Sequence, residues 1–148
     1  MYVSISAMTD KEAINAPDPV GQYPLARKSG GLLFLSGVGP RLPADNEIPG
    51  NKYDETGKLL HYDIEQQCHS VFTNVRNILE GFGAGWHDLV DVTVFLTNMK
   101  TDFDTFNRVW AEWFPVDPPC RTTVEVRALP TPIAIELKCV ARPGATEQ

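Results

Sequence analysis

Two charged side chains on adjacent predicted strands are the residues of this sequence best suited to chemistry. Arg121 lies near the start of segment 118–126, and Glu136 lies in the middle of segment 133–141. Both segments alternate apolar and polar residues, as half-buried strands do. The Leu-Pro-Thr-Pro link at 129–132 favours a short turn, so we expect the two strands to pair antiparallel. The guanidinium and the carboxylate would then share one pocket, as a carboxylate-binding fork beside a proton acceptor.

Two helices must support these strands. The first is predicted from an N-cap at Asp63, because apolar residues step by three and four from Ile64 to Phe82, and the glycines at 81, 83 and 85 are predicted to end it. The second is predicted from a Thr101-Asp102 cap to a stop at Pro115, which cannot continue a helix. The other predicted segments are an irregular region at 1–20, strands at about 32–38 and 89–96, and a long loop at 41–58.

The order of these elements predicts one α+β domain over residues 1–148, a mixed sheet with two helices packed on one face. Two helices cover only one face, yet segments 32–35 and 92–96 are apolar on both faces. We therefore expect another copy of the chain to cover the second face, in a closed homo-oligomer with sites between subunits.

Composition excludes several classes of function. The 148 residues carry a net charge of −6 without a basic stripe, which argues against nucleic acid as a partner. No apolar run is long enough to span a bilayer, so no membrane association is expected. Three cysteines without C-x-x-C spacing favour reduced thiols and a cytoplasmic location. The three histidines follow no ligand spacing, so no metal site is expected.

Short motifs along the chain carry a resemblance to a known family. In order, they are Gly21-Gln22-Tyr23, Leu35-Ser36-Gly37, Phe82-Gly83-Ala84, the segment 91–96, Asp102-Phe103 with Asn107, Pro119-Cys120-Arg121, Leu129-Pro130 and Ile135-Glu136. Together they resemble the RidA/YjgF family of enamine/imine deaminases over residues 21–141. The resemblance implies a chorismate-mutase-like fold and a homotrimer with its sites at the subunit interfaces.

Within that family the chain is most similar to the 2-aminomuconate deaminases of aromatic (2-aminophenol or tryptophan-type) catabolism. The similarity lies in the long loop from Arg41 to Asp63 and in segments 121–124 and 135–141. Generic members usually carry a second acid where Lys138 stands and often a cysteine where Thr123 stands. These departures favour a specialised branch and argue against a role for a thiol.

The resemblance also implies roles for individual residues in a hydrolase that acts on C–N bonds. Arg121 would anchor the substrate carboxylate, and Glu136 would orient or deprotonate the attacking water. The other expected substrate-binding residues are Tyr23, Ser36, Gly37 and Asn107. No cofactor is expected, because an imine is already activated toward water.

Each of these assignments has a structural alternative. Tyr23 could pack as a lid over the sheet end, and Ser36-Gly37 could form only a strand-ending turn. Lys138 shares a strand face with Glu136, so it could be the ion-pair partner of Glu136 or a second anchor for a dicarboxylate.

Two alternatives for the function of the chain also stay open. One is a broad-range 2-iminobutanoate/2-iminopropanoate deaminase that clears reactive intermediates, and the other is a non-catalytic ligand-binding or chaperone-like trimer.

Overall fold

The computed structural model of the chain describes residues 14–144. It confirms the predicted α+β class, with two helices and a mixed sheet. In chain order, the strands are β1 (Ala26–Ser29), β2 (Leu32–Leu35), β3 (Lys52–Tyr53), β4 (Leu59–His61), β5 (Leu89–Leu96), β6 (Cys120–Glu125) and β7 (Ile135–Ala141), and the helices are α1 (Ile64–Gly81) and α2 (Met99–Trp113) with a 3₁₀ turn at Trp86–Asp88. Residues 14–25 form neither helix nor strand, and the first thirteen residues of the predicted irregular segment lie outside the described residues.

The main sheet has the strand order β1-β2-β7-β5-β6. Strand β6 pairs parallel with β5, while β7 pairs antiparallel with the other side of β5. The predicted antiparallel pairing of the segments around Arg121 and Glu136 is therefore wrong. The end of β5 lies between them: Val126 N donates to Leu96 O, and Thr97 N donates to Ala134 O. The link between β6 and β7 is a connection over β5 and not a hairpin turn.

Two short strand pairs were not predicted. Strands β1 and β2 form a hairpin whose turn residues, Gly30 and Gly31, have φ angles of 60° and 79°. Two consecutive positive φ angles are what a tight two-residue hairpin requires, and glycine adopts them without strain. Strand β2 ends at Leu35, short of its predicted end, and Val38 makes only an isolated bridge to Leu137. The small β3–β4 pair begins inside the predicted long loop.

Both helices begin at side-chain caps. The Asp63 carboxylate accepts from Gln66 N (3.0 Å), as its predicted capping role requires, and α1 ends at Gly81, the first of the three glycines predicted to end it. The N-cap of helix α2 is Asn98, three residues before the predicted cap at Thr101, and its side chain accepts from Thr101 N (3.2 Å). Asp102 has no capping role; it is buried and accepts a hydrogen bond from the Tyr62 hydroxyl (2.7 Å). Burial raises the pKa of Asp102 from its ordinary value.

Only one face of the main sheet is covered. Alternate residues of β5 and β7 are buried and pack with both helices in one core: Val92, Val94, Leu96, Ile135, Leu137, Cys139 and Ala141. On the other face, Phe34 and Val124 are 38% and 37% exposed, although such side chains are normally buried. This second face, which we call the bare face, bears apolar side chains that no element of the described chain covers.

A buried glutamine connects the long loop to the start of β7. Gln67 on α1 is completely buried. Its side-chain oxygen accepts from Ala134 N (2.8 Å), and its side-chain nitrogen donates to Asn51 Oδ1 (3.0 Å). Asn51 in turn donates to Pro132 O (2.9 Å). This network fixes the backbone two residues before Glu136.

Replacing Gln67 with Ala should therefore destabilise the protein strongly. The change leaves Ala134 N–H and the Asn51 carbonyl buried without partners and opens a cavity, so we expect a loss of about 2–4 kcal/mol of unfolding free energy. Urea denaturation followed by circular dichroism measures it. The control is Gln66→Ala, an exposed neighbour that contacts only the Asp63 cap, where the loss should stay within about 1 kcal/mol. Equal losses for the two variants would contradict the role of the network.

Candidate active site in two halves

The predicted site residues form two groups, and the charged residue of each group, Arg121 or Glu136, lies on a different face of the sheet. Arg121 is in register with Val92, which points into the helix-covered core. Glu136 is in register with Phe95, whose neighbours in β5 face the core, so Glu136 points to the bare face. Arg121 and Glu136 of one chain therefore do not share a pocket, contrary to the expectation from the predicted hairpin.

The first group, the arginine cluster, holds a guanidinium stacked on aromatic rings. The Cζ atom of Arg121 lies 5.9, 5.1 and 5.0 Å from the ring centroids of Phe103, Phe106 and Trp110 on α2. These contacts occupy the faces of the planar group and leave its N–H edges free. Among residues 14–144, Arg121 has neither an ion pair nor a side-chain hydrogen bond. Its edges are thus available to an anion.

Partial burial affects the same arginine. Removal from water lowers the pKa of Arg121 from its ordinary value, because the charged form loses hydration. Arginine nevertheless stays protonated near neutral pH. Arg121 is therefore a permanent cation that is partly removed from water and has no carboxylate partner among residues 14–144.

Asn107 lies beside this cluster. It is four residues after Phe103 and three before Trp110 on α2, so it lies on the helix side that carries the rings. Its side chain is exposed. Trp110 is buried in the core, at 8% exposure, and it also supports Arg121. The i, i+3, i+7 spacing of aromatic residues at 103, 106 and 110 was the signal for that support.

The second group, the glutamate cluster, is Tyr23, Ser36, Gly37 and Glu136. Glu136 is half-buried and packs closely against Gly37: a Cβ atom on Gly37 would lie only 2.9 Å from Glu136 Oε2. Only glycine leaves room for this approach. Burial raises the pKa of Glu136 from its ordinary value in the single chain. The carboxyl group is therefore held close to the backbone of a strand end, in surroundings that favour proton uptake.

The remaining members of the glutamate cluster shape the strand end. Ser36 Oγ donates to Pro24 O (2.7 Å), so its proton is already used and only its lone pairs remain available. Tyr23 is 41% exposed, and its hydroxyl accepts from Val20 N (3.3 Å). Tyr23, Ser36 and Gly37 line a small cavity of about 30 Å³, which is enough for a water molecule.

Lys138 lies on the bare face, two residues beyond Glu136. Its Nζ donates to Leu35 O, where β2 has separated from β7. Among residues 14–144, no ion pair joins Lys138 to Glu136, so the ion-pair alternative is not supported. A second cation without a carboxylate partner thus stands on the same face as Glu136.

Other chemistry has little support in the described part of the chain. Residues 14–144 contain no group of three or more side chains placed to hold a metal ion. The three cysteines are free thiols, and burial raises the pKa of Cys68 and Cys139 to about 12. No helix among these residues has the length and apolar character needed to cross a bilayer.

Comparisons with known proteins agree with this fold. The model of the family described as endoribonuclease L-PSP matches residues 13–143. A RutC family protein of Pyrococcus horikoshii is 38% identical over 86% of this chain and 91% of its own. The chloroplastic Reactive Intermediate Deaminase A of Arabidopsis thaliana is 35% identical over 94% of this chain and 70% of its own.

Solved structures show the same similarity. The structure of the E. coli YjgF gene product has a TM-score of 0.74 and 30% identity, covering 86% of this chain and 93% of that one. The structure of E. coli TdcF with bound serine has a TM-score of 0.74 and 29% identity, with the same coverage of both chains.

Proposed function

The chain belongs to the endoribonuclease L-PSP family, which includes the RidA/YjgF proteins, and we propose that it is an enamine/imine deaminase. It would hydrolyse the imine of a carboxylate-bearing metabolite to the oxo acid and ammonia. The observation that carries the proposal is Arg121, a stacked guanidinium whose N–H edges have no partner in the described part of the chain. The relative named Reactive Intermediate Deaminase A and the relative that binds serine support a small amino-acid-like ligand.

Arg121 would bind the substrate carboxylate. Its rings fix the plane of the guanidinium, so two parallel N–H···O bonds can form only with an acceptor in that plane. A carboxylate meets this condition. Binding would place the adjacent C=N carbon at a fixed distance from the fork, with Asn107 near enough on α2 to orient it.

Glu136 would handle the protons. An enamine first tautomerises to its imine, whose carbon is open to attack by water. Glu136 would take a proton from the attacking water as the C–O bond forms, and the electron pair of the C=N bond moves to nitrogen. The same carboxyl returns that proton to nitrogen, which gives a carbinolamine. Glu136 would then move the proton of the new hydroxyl to the amine, so the C–N bond breaks as the C=O bond forms, and the oxo acid and ammonia leave. The raised pKa of Glu136 suits a group that must both accept and return a proton.

These two functions require two chains. Arg121 and Glu136 lie on opposite faces of one sheet, so a complete site would join the arginine cluster of one subunit to the glutamate cluster of the next. The bare face, with exposed Phe34 and Val124, supplies an apolar surface for such an association. We propose a homotrimer, in which each of three equivalent interfaces forms one site.

Two substrate classes fit this site. The curated relative named as a reactive-intermediate deaminase supports a broad range of small 2-imino acids. Lys138 supports a dicarboxylate such as 2-aminomuconate, because it places a second cation on the face of Glu136. We retain 2-aminomuconate as the expected substrate and small 2-imino acids as the alternative.

The family description raises RNA as another substrate. The net charge of −6 argues against RNA as a substrate, since RNA binding depends largely on basic side chains that contact phosphates.

A further alternative is a non-catalytic ligand-binding or chaperone-like trimer, which would bind a carboxylate at Arg121 without turnover. Ammonia release separates that alternative from the deaminase.

Replacing Arg121 with Lys should remove most of the activity while keeping the charge. Lysine cannot form the planar bidentate contact, so we expect about a 100-fold lower kcat/KM, or roughly 3 kcal/mol. Coupled detection of ammonia measures it. Arg76→Lys is the matched control, because Arg76 also stacks on an indole, that of Trp113, at 5.3 Å, but on a surface away from the site. Unchanged turnover in the Arg121 variant would remove the proposed mechanism.

Mixing two inactive variants should restore activity if each site spans two chains. Arg121→Ala removes the arginine half of each site, and Glu136→Gln removes the glutamate half. In a trimer that contains both variants, one of the three interfaces joins an intact Arg121 to an intact Glu136. Random co-assembly at equal amounts makes three quarters of the trimers mixed, so about a quarter of wild-type ammonia release should return. The separately assembled variants, mixed only in the assay, are the control. No recovery after co-refolding would place both residues in one chain's site.

Replacing Lys138 with Met should separate the two substrate classes. Loss of the second cation should lower kcat/KM for 2-aminomuconate about tenfold and change that for 2-iminopropanoate by no more than about twofold. Lys138→Arg, which keeps the charge, should retain the preference. Equal losses on both substrates would mean that Lys138 serves only to hold Leu35 O, and the monocarboxylate alternative would then be favoured.

A further inference from the structure

A buried hydrogen bond joins the segment before helix α1 to helix α2. The hydroxyl of Tyr62, the residue before the N-cap of α1, donates to Asp102 Oδ2 at 2.7 Å. Asp102 is buried, at 2% exposure, and Tyr62 is half-buried. Among residues 14–144, the Tyr62 hydroxyl is the one donor to the Asp102 carboxylate, and no cation forms an ion pair with that carboxylate.

The direction of this bond is fixed by the chemistry of the two groups. Burial and the neighbouring Asp102 carboxylate raise the pKa of Tyr62 from its ordinary value, so the phenol keeps its proton and is the donor. The Asp102 side chain is not needed as a helix cap, because the N-cap of α2 is Asn98. A buried carboxylate costs free energy in folding, so one that neither caps a helix nor pairs with a cation calls for another role.

Asp102 shares one side of α2 with two of the rings that support Arg121. Residues at i, i+4 and i+8 lie along one side of a helix, and here they are Asp102, Phe106 and Trp110. All three are buried. The ring centroids of Phe106 and Trp110 lie 5.1 and 5.0 Å from Arg121 Cζ. A bond that holds Asp102 therefore limits rotation of α2 about its axis, and with it the direction in which both rings face.

We propose that Tyr62 is a positioning residue that acts through Asp102 and α2 on the guanidinium of Arg121. The inference rests on the proposed function and extends it to a residue outside the arginine cluster. Without the Tyr62 hydroxyl, the Asp102 carboxylate loses its donor, and it turns toward water or takes up a proton. Either change loosens the first turn of α2. The rings then hold the guanidinium plane less tightly for a bidentate contact with a carboxylate.

The first test removes one oxygen atom from the protein. In Tyr62→Phe, kcat/KM for the better of 2-aminomuconate and 2-iminopropanoate should fall about tenfold, because small errors in the placement of a bound substrate slow its reaction strongly. Coupled detection of ammonia measures it, at a temperature where circular dichroism shows the variant to be folded. Tyr53→Phe is the matched control. It is the same change in β3, where the hydroxyl bonds Asn51 Nδ2 (3.0 Å) and not α2, so kcat/KM should stay within about twofold of wild type.

Two substitutions of the acceptor test the same bond if Tyr62→Phe does not fold. Asp102→Asn retains a side-chain oxygen that can accept from Tyr62, so kcat/KM should stay within about threefold of wild type. Asp102→Ala removes the acceptor and should lower kcat/KM about tenfold, as Tyr62→Phe does. Equal kcat/KM values for the Asn and Ala variants would overturn the proposal, because the bond to Tyr62 would then have no effect on turnover.

Combination with an Arg121 variant distinguishes positioning of Arg121 from a general structural role. If Tyr62 acts through Arg121, adding Tyr62→Phe to Arg121→Lys should lower kcat/KM by no more than about twofold beyond Arg121→Lys alone. A further tenfold loss would overturn the role of Tyr62 only, and so would wild-type turnover by Tyr62→Phe. If Arg121→Lys itself keeps wild-type turnover, the proposed function fails and the role of Tyr62 fails with it.

Discussion

The alternation of side chains along a strand is the constraint on which the function of this chain depends. Strands β6 and β7 flank β5, and their registers with it place Arg121 on the helix-covered face and Glu136 on the bare face. No rotamer change moves a side chain through a sheet, so in the proposed function one chain would carry two half-sites and not one complete site. The same sheet presents Phe34 and Val124 to solvent on its bare face. A second copy of the chain would cover that apolar surface and complete the site at once, so that assembly and activity would have a common physical origin.

In the arginine cluster, part of the desolvation that carboxylate binding would require has already taken place on folding. Three aromatic rings on α2 stack against Arg121 and lower its hydration, which is the cause of its depressed pKa. The guanidinium was partly desolvated when the chain folded, so a carboxylate that binds it would have less of its water to displace. The glutamate cluster is organised differently: Gly37 lets a half-buried carboxyl approach the backbone, and the network through Gln67 fixes the start of its strand.

Local patterns in the sequence predicted most elements of the fold, but not how the strands pair. Helix α1 was found from its Asp63 cap and its apolar stripe, and β5 from its apolar run, because these signals are contained in the elements themselves. The partner of β6 is a non-local choice: a proline-containing link suggested a hairpin, whereas hydrogen bonds from Val126 and Thr97 attach both ends of that link to β5. This error and the face of β6 together placed Arg121 and Glu136 in a common pocket. The alternation within each strand was predictable, but which face of β6 turns to the helices was not: Arg121 faces α2, while the apolar Val124 is exposed on the bare face.

Charge decides which forces can select a substrate here. A chain with a net charge of −6 repels anions at long range, so steering by the overall field would not favour an acidic metabolite. The attractive contacts are local: within residues 14–144, Arg121 has no carboxylate partner, and the one hydrogen bond of the Lys138 ammonium is to Leu35 O. Interactions of this kind are short-ranged and, where water is excluded, little screened by salt. Selection would therefore depend on whether a ligand places its carboxylates where these donors lie, which is a condition of geometry more than of net charge.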